Sequence, residues 1–175
     1  MSQCIRNSQF PQKGFTLIEL IIVIVILGIL AVTAAPKFID ISKDANVAAL
    51  ESMGAAMISA GKLTYAKSVI QGQSNQVAGN VDLDGDGTND IATRWGYPNA
   101  TRILGIANAM DENFETQWLR ANNGNGTILY VTFASSTDSG PVTDNTLVLD
   151  TNCYLTYANP DEGESMVITY ETSGC

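Results

Sequence analysis

Apolar and polar residues separate along this chain into three regimes. From Phe15 to Ala35, Glu19 is the single ionisable residue in a run of 21 otherwise dominated by Leu, Ile and Val. At ~1.5 Å per residue such a helix spans ~31 Å, close to the thickness of a bilayer's hydrocarbon core. After Pro36 the pattern becomes amphipathic. Ile39, Val47, Leu50, Met53, Gly54, Met57, Gly61 and Tyr65 fall on one face of a 3.6-period helix, and Ala45, Ala48, Ser52, Ala55 and Ser59 give the other side a small-residue surface. At Gln71 the composition shifts to Gly, Asn, Asp and Ser, so the long helix is predicted to end at about Ile70. A connecting region with short helices near Asn99–Met110 and Glu112–Ala121 is expected next. The β-branched and aromatic stretches Thr127–Phe133, Thr146–Tyr157 and Met166–Thr172 predict strands, with turns at Ser135–Pro141 and Asn159–Gly163. Closely spaced strands pair antiparallel, so the fold class is α+β: a long N-terminal helix and a C-terminal head whose antiparallel sheet packs on its amphipathic half.

Within the apolar run, Glu19 raises a physical problem. A carboxylate in a membrane-spanning segment costs roughly 2.5–3.5 kcal/mol on insertion scales, so such a residue calls for a function, unless it lies at headgroup level near the end of the span. Gly28 weakens the helix, and Pro36 removes a backbone donor and should kink or loosen it near Val32. Met1–Gly14 carries Arg6 and Lys13 and no acid, which holds it on the cytoplasmic side. A secretory signal would be cut after the run, at Ala34-Ala35, but Pro36 follows directly. Cutting before the run, at Gly14, would keep the hydrophobic helix in the mature chain.

KGFTLIEL followed by a hydrophobic run resembles the type IV prepilin signature, and the resemblance is close from Met1 to about Ile70. It implies a leader, residues 1–14, removed between Gly14 and Phe15 by a prepilin peptidase that also N-methylates Phe15. Residues 15–35 would then be the transmembrane and filament-core half of the helix, 36–70 its amphipathic half, and 71–175 the head. Glu19 would neutralise the N-terminal amine of a neighbouring subunit, relieving the cost of an unpaired carboxylate in an apolar core. The family pattern also implies that Gly28–Pro36 can unwind in the filament. The partners implied are other copies of the chain in a helical filament, the peptidase/N-methyltransferase and the pilus assembly machinery. The inner membrane would hold the precursor, and the cell surface the pilus.

Composition agrees with a non-enzymatic filament protein. The 175 residues hold 18 acids and 9 basic residues; removing the leader's two basics gives 7 − 18 = −11. That acidity argues against nucleic-acid binding. No histidine is present, and no catalytic constellation stands out. Cys4 would leave with the leader, and Cys153 and Cys175 remain as an even pair in an exported domain. Type IV pilins have a matching C-terminal disulfide loop.

One stretch suggests ion chemistry. In 82-DLDGDGTND-90, Asp82, Asp84, Asp86 and Asp90 occupy positions 1, 3, 5 and 9 of an EF-hand-like loop. Gly87 sits at 6, and Thr88 at 7 supplies a carbonyl. Position 12 is Thr93, where an EF-hand has a bidentate Glu, so structural Ca2+ is expected at extracellular rather than sensor affinity. The loop, the ILAVTAAPKF segment and 94-RWGYP-98 together look most like pilins of the mannose-sensitive haemagglutinin (MSHA) class, which implies surface attachment. Trp95, Tyr97 and Pro98 are expected to pack beneath the loop rather than form a surface contact. Asn99-Ala-Thr101 and Asn125-Gly-Thr127 match the N-glycosylation pattern, a weak signal in a bacterial pilin. The alternatives are a type II secretion pseudopilin, which shares the prepilin signature, and a single-span calcium-binding enzyme or receptor, for which Phe15 would not be the mature N-terminus.

Overall fold

The computed structural model describes residues 14–134 and 139–175, with side chains except at 35–40, 112, 113 and 115. The leader before Gly14, most of the expected turn Ser135–Pro141 and the side chains of Pro36 and Ile39 therefore lie outside the described set. The chain divides into two compact units, one ending at Ser42 and the other spanning Lys43–Cys175. Helix α1, Leu17–Ile70, passes through the boundary between them. It is continuous through Gly28 and Pro36. Upstream of Pro36 the Thr33 hydroxyl donates to the Leu30 carbonyl at 3.0 Å, one turn back.

In the first unit, Leu17–Ala34 is long and apolar enough to cross a membrane, and its own chain buries none of it.

In the second unit two sheets pack with the C-terminal part of α1. The smaller is antiparallel, β1 (Gly79–Val81), β2 (Ile91–Arg94) and β3 (Tyr97–Pro98), in that order. The larger has the order β6-β4-β5-β7-β8, with β4 at Trp118–Asn122, β5 at Ile128–Phe133, β6 at Gly140–Pro141, β7 at Tyr154–Ala158 and β8 at Val167–Glu171. Its pairings are antiparallel except β4–β6, which is parallel, so the larger sheet is mixed.

Alternation along the central strands sends Leu129, Val131, Leu155 and Tyr157 into the main core with Leu50 and Met57 of α1. Leu119 and Ala121 face the other way, where Val148 of helix α3 (Thr146–Leu149) covers them. The predicted helix stripe is borne out: Leu50, Gly54, Met57 and Gly61 are buried, and Val47, Met53 and Tyr65 half-buried. Ala45, Ala48, Ser52, Ala55 and Ser59 are all exposed.

Three local expectations are corrected. Of Asn99–Met110, only Ile106–Ala109 is helical, as a 3-10 turn. Helix α2, Glu112–Gln117, starts on an Asp111 cap and stops where Trp118 enters β4, pairing with Phe133 across the sheet with ring centres 4.9 Å apart and planes tilted by 30°. Arg120 on that strand is 1 % exposed; its Nε donates to the Arg102 carbonyl at 2.9 Å, and its guanidinium lies 5.1 Å from the Phe114 ring centre. The strand expected at Thr146–Tyr157 begins only at Tyr154. Asp144 accepts from the Thr146 amide and hydroxyl and starts α3, and Asn152 at φ 48° turns the chain out of it.

The C-terminus is closed by a Cys153–Cys175 disulfide, Cα–Cα 4.8 Å. In the chain-entropy model a loop of this length stabilises by about 3 kcal/mol. Next to it the Gly174 amide donates to the Asn152 carbonyl at 2.8 Å, and the Asn46 side chain on α1 donates to the Cys175 carbonyl at 3.3 Å.

Edge strand β8 and the residue before it meet α1 at two glycines two turns apart. A Cβ on Gly54 would overlap the Tyr170 hydroxyl and lie 2.8 Å from Cζ; one on Gly61 would meet the tip of Met166. Overpacking costs typically ~1–3 kcal/mol, whereas Gly→Ala in a helix returns ~1 kcal/mol. Gly61→Ala should therefore be near neutral, because a thioether can swing aside. Gly54→Ala should destabilise by about 1 kcal/mol, since a rigid phenol must lift away from α1. Denaturant unfolding of the full chain in detergent checks this, and a Tyr170→Phe background should shrink the Gly54→Ala loss. Equal losses in both backgrounds would mean the hydroxyl is not the obstacle.

Candidate functional site

Two sites carry the residues singled out from the sequence. Just before α1, Phe15 is 90 % exposed, and among the described residues none but its chain neighbours comes within 4 Å of where a Cβ on Gly14 would lie. Next to them is a reciprocal helix cap. The amide and hydroxyl of Thr16 each donate to Glu19 Oε2 at 2.8 Å, and the Glu19 amide donates to Thr16 Oγ1 at 3.3 Å. This is a capping box, with Thr16 at the N-cap and Glu19 three residues on. The T-x-x-E spacing is itself a signal of this cap in the sequence. All three groups lie on the C-terminal side of the Gly14–Phe15 bond.

The second site is the hairpin loop joining β1 to β2. The Asp90 amide donates to the Val81 carbonyl at 3.0 Å and closes its base. Gln71, just past α1, clamps Asp82: its amide nitrogen donates to the Asp82 carbonyl at 2.6 Å, and its oxygen accepts from the Asp82 amide at 3.1 Å. On the other side Asn108 donates to the Asp90 carbonyl at 3.0 Å. Within the loop Asp82 accepts from the Gly85 amide at 2.6 Å and the Gly87 amide at 2.9 Å. Asp84 accepts from the Asp86 amide, and Asp86 from the Thr88 amide. Gly85 and Gly87 have φ +91° and +90°, which lets the chain fold back around its own carboxylates. The Gly85 and Gly87 amides, with Lys67 nearby, hold the Asp82 carboxyl below the usual carboxylate range.

Of the five residues expected to ligate an ion, the loop brings three together. Asp82, Asp84 and Asp86 each place a carboxylate oxygen within 4.8 Å of the others. Oxygens on one Ca2+ at 2.3–2.6 Å lie at most about 5 Å apart, so the spacing fits a single ion. Asp90 instead turns one oxygen to the Leu83 amide at 2.8 Å, and Thr88 enters through its amide.

The two N-x-T patterns have a local structural role. Asn99 accepts from the amide and hydroxyl of Thr101, and Asn125 from those of Thr127, as Asp144 does from Thr146. Pro98 is buried, its carbonyl accepting from the Tyr157 hydroxyl, whereas Trp95 and Tyr97 are only half-buried.

With these arrangements established, similarity to known proteins is informative. The family profile of the prokaryotic N-terminal methylation motif matches residues 10–35. The type IV narrow pilus major component PilA5 of Thermus thermophilus is 40% identical over 98 residues, covering 55% of this chain and 81% of that protein. The type IV major pilin protein PilE1 of Neisseria gonorrhoeae is 33% identical over 118 residues, 65% of this chain and 72% of its own length. The chain is a type IV pilin. No solved structure matches it significantly.

In this pilin the cap makes Thr16 a determinant of how α1 begins. Thr16→Val keeps the shape and removes the hydroxyl, leaving the Glu19 amide without its acceptor, at a cost of about 1 kcal/mol in the first turn. Glu19→Gln should spare the cap, because a glutamine oxygen accepts the same bonds. Amide hydrogen exchange of the full chain in detergent should show faster exchange at Ile18 and Glu19 in Thr16→Val only. Equal fraying in both variants would mean the carboxylate charge, and not the bond pattern, holds the turn.

Proposed function

We propose that this pilin is a structural subunit of an MSHA-like type IV pilus, a surface filament used in attachment. The observation that carries the filament role is the apolar length Leu17–Ala34, wholly uncovered by its own chain and headed by the GFTLIE sequence. Such a segment rests in the inner membrane before assembly and against other copies afterwards. The Asp82–Asp90 loop, ILAVTAAPKF and RWGYP support the MSHA-like class. A role in type II secretion, as a pseudopilin, is favoured by the loop alone; the disulfide-closed C-terminus favours a pilin. Microscopy of cells with and without the gene decides: surface filaments that vanish on deletion support the pilus, and lost protein secretion with filaments unchanged supports the rival.

Processing is assigned to the Gly14–Phe15 bond, with N-methylation of Phe15, by a prepilin peptidase. Glu19 then serves twice, capping its own helix and attracting the Phe15 amine of a neighbour. Glu19→Gln separates these roles, because it keeps the cap and removes the charge. We expect mature, N-methylated protein in the membrane by mass spectrometry, with filament yield sharply reduced. Wild-type yield would reject the docking role.

The loop is assigned to structural Ca2+, on the support of three convergent carboxylates, with Asp82, Asp84 and Asp86 as the first ligands and Thr88 and Asp90 completing the set. An ion there would tie the β1–β2 hairpin to the end of α1 through the Gln71 clamp. Its contribution is about 2.7 kcal/mol when free calcium is 100-fold above the dissociation constant. The thermal midpoint of the full chain in detergent should rise with calcium over chelator, and Asp84→Asn with Asp86→Asn should abolish the rise. A midpoint indifferent to several millimolar calcium would leave the loop a solvated turn.

A further inference from the structure

A cavity of about 510 Å³ opens where α1, the β2–β3 turn and the β7–β8 turn meet, and its chemistry differs from that of the calcium-type loop. Three aromatic side chains line it, Tyr65, Trp95 and Tyr97, together with Glu162 and Glu164. No lysine or arginine is among its lining residues.

The site is built. Tyr65 and Tyr97 stack at 4.5 Å with planes 20° apart, joining the helix to the small sheet. Trp95 has φ 50°, a left-handed conformation that a bulky aromatic rarely adopts and that concentrates at binding sites. Its amide donates to the Gln76 carbonyl at 2.8 Å, which fixes the turn. Gly96 beside it is required, because a Cβ would lie 2.9 Å from the Ser74 backbone and from the Tyr65 ring. On the far wall, the turn carrying the glutamates is held by Arg94, whose Nε donates to the Pro160 carbonyl at 3.3 Å, and by the Glu164 amide on the Asp161 carbonyl at 3.1 Å. Burial and the neighbouring Tyr65 raise the Tyr97 phenol, so it stays protonated and adds no counter-charge.

Aromatic faces are negative, and carboxylates more so, so this lining attracts a cation. A bare metal ion wants six to eight oxygens and gains little from rings, whereas an alkylated nitrogen is weakly hydrated and fits against them. We propose that this cavity binds an organic ammonium ion, an alkylated or quaternary amine held against Trp95 and the tyrosine pair and neutralised by Glu162 and Glu164. The acidity of the whole chain concentrates such ions at its surface.

The test uses the full chain in maltoside micelles, which contain no ammonium headgroup. Tetramethylammonium and choline are titrated at constant ionic strength beside 3,3-dimethyl-1-butanol, the uncharged isostere of choline. The indole N–H resonance of Trp95 is followed, with that of the buried Trp118 as internal control. Saturable shifts confined to Trp95 are expected, with the isostere about tenfold weaker or worse. Glu162→Gln with Glu164→Gln, both on an exposed turn, should weaken the cations about tenfold and leave the isostere unchanged. Absence of saturation, equal response to the isostere, or unchanged cation affinity in the double variant would each overturn the proposal.

Discussion

Everything else in this molecule is arranged around an apolar helix surface that the chain does not cover. Leu17–Ala34 contains thirteen Leu, Ile and Val residues, and none of the segment is buried by its own chain. Full burial of one such side chain is worth roughly 1.5–3 kcal/mol, so covering this surface outweighs the ~5–15 kcal/mol that holds a typical domain folded. The subunit therefore has no soluble resting state with this surface exposed; it must exchange one apolar environment for another. Lipid and a bundle of identical helices are nearly equivalent in this respect, which lets a subunit pass between them without a large change in hydrophobic energy. Packing detail, lipid entropy and polar contacts are then what can tell the two surroundings apart, and Glu19 is the sole ionisable group in the segment.

The capping box gives that group a defined position. A free carboxylate at the end of a helix samples several rotamers, whereas Glu19 is held through Oε2 by two bonds to Thr16. An amine that approached the helix start, as the docking proposal requires, would meet a charge already oriented, with little side-chain entropy left to lose on pairing. The box also satisfies two backbone donors, the Thr16 amide on Glu19 Oε2 and the Glu19 amide on Thr16 Oγ1, and in an apolar surrounding each would cost several kcal/mol unpaired.

The long helix, its break in character near Pro36, and the face that carries the sheet were all legible, because an apolar run of 21 residues and the 3.6-residue stripe that follows it from Ile39 to Tyr65 are each strong signals. The face was read two residues short: Thr64 and Ser68 are also buried. Each hydroxyl donates to its own helix, Thr64 to the Ala60 carbonyl at 3.0 Å and Ser68 to that of Tyr65 at 2.7 Å, so they pack as small apolar residues despite their polar names. The strands between Gly79 and Pro98 were missed because two to four residues are too few for an alternation of residue types to register, and Gly, Asp and Asn between them read as loop. At Thr146–Leu149 a β-branched run misled, since the Asp144–Thr146 turn that starts α3 outranks weak strand propensity. At the candidate sites the residue types were legible and their roles only partly so. The aspartate spacing located the loop, but nothing in it foretold that Asp90 would turn to the Leu83 amide.

The second half of α1 shows how one helix can serve two neighbours. Gly54 and Gly61 let Tyr170 and Met166 press against the helix, so the edge strand lies close and the C-terminal disulfide ends beside Asn46. On the opposite side Ala45, Ala48, Ser52, Ala55 and Ser59 stay exposed. Ser59 turns its hydroxyl back to the Ala55 carbonyl at 2.9 Å, so that side presents few outward polar groups. The two faces thus differ in what they can accept. The glycine face is shaped by particular side chains and fits one partner, its own head. The alanine and serine face is nearly featureless, so close approach of another helix there would be limited by backbone separation rather than by side-chain fit.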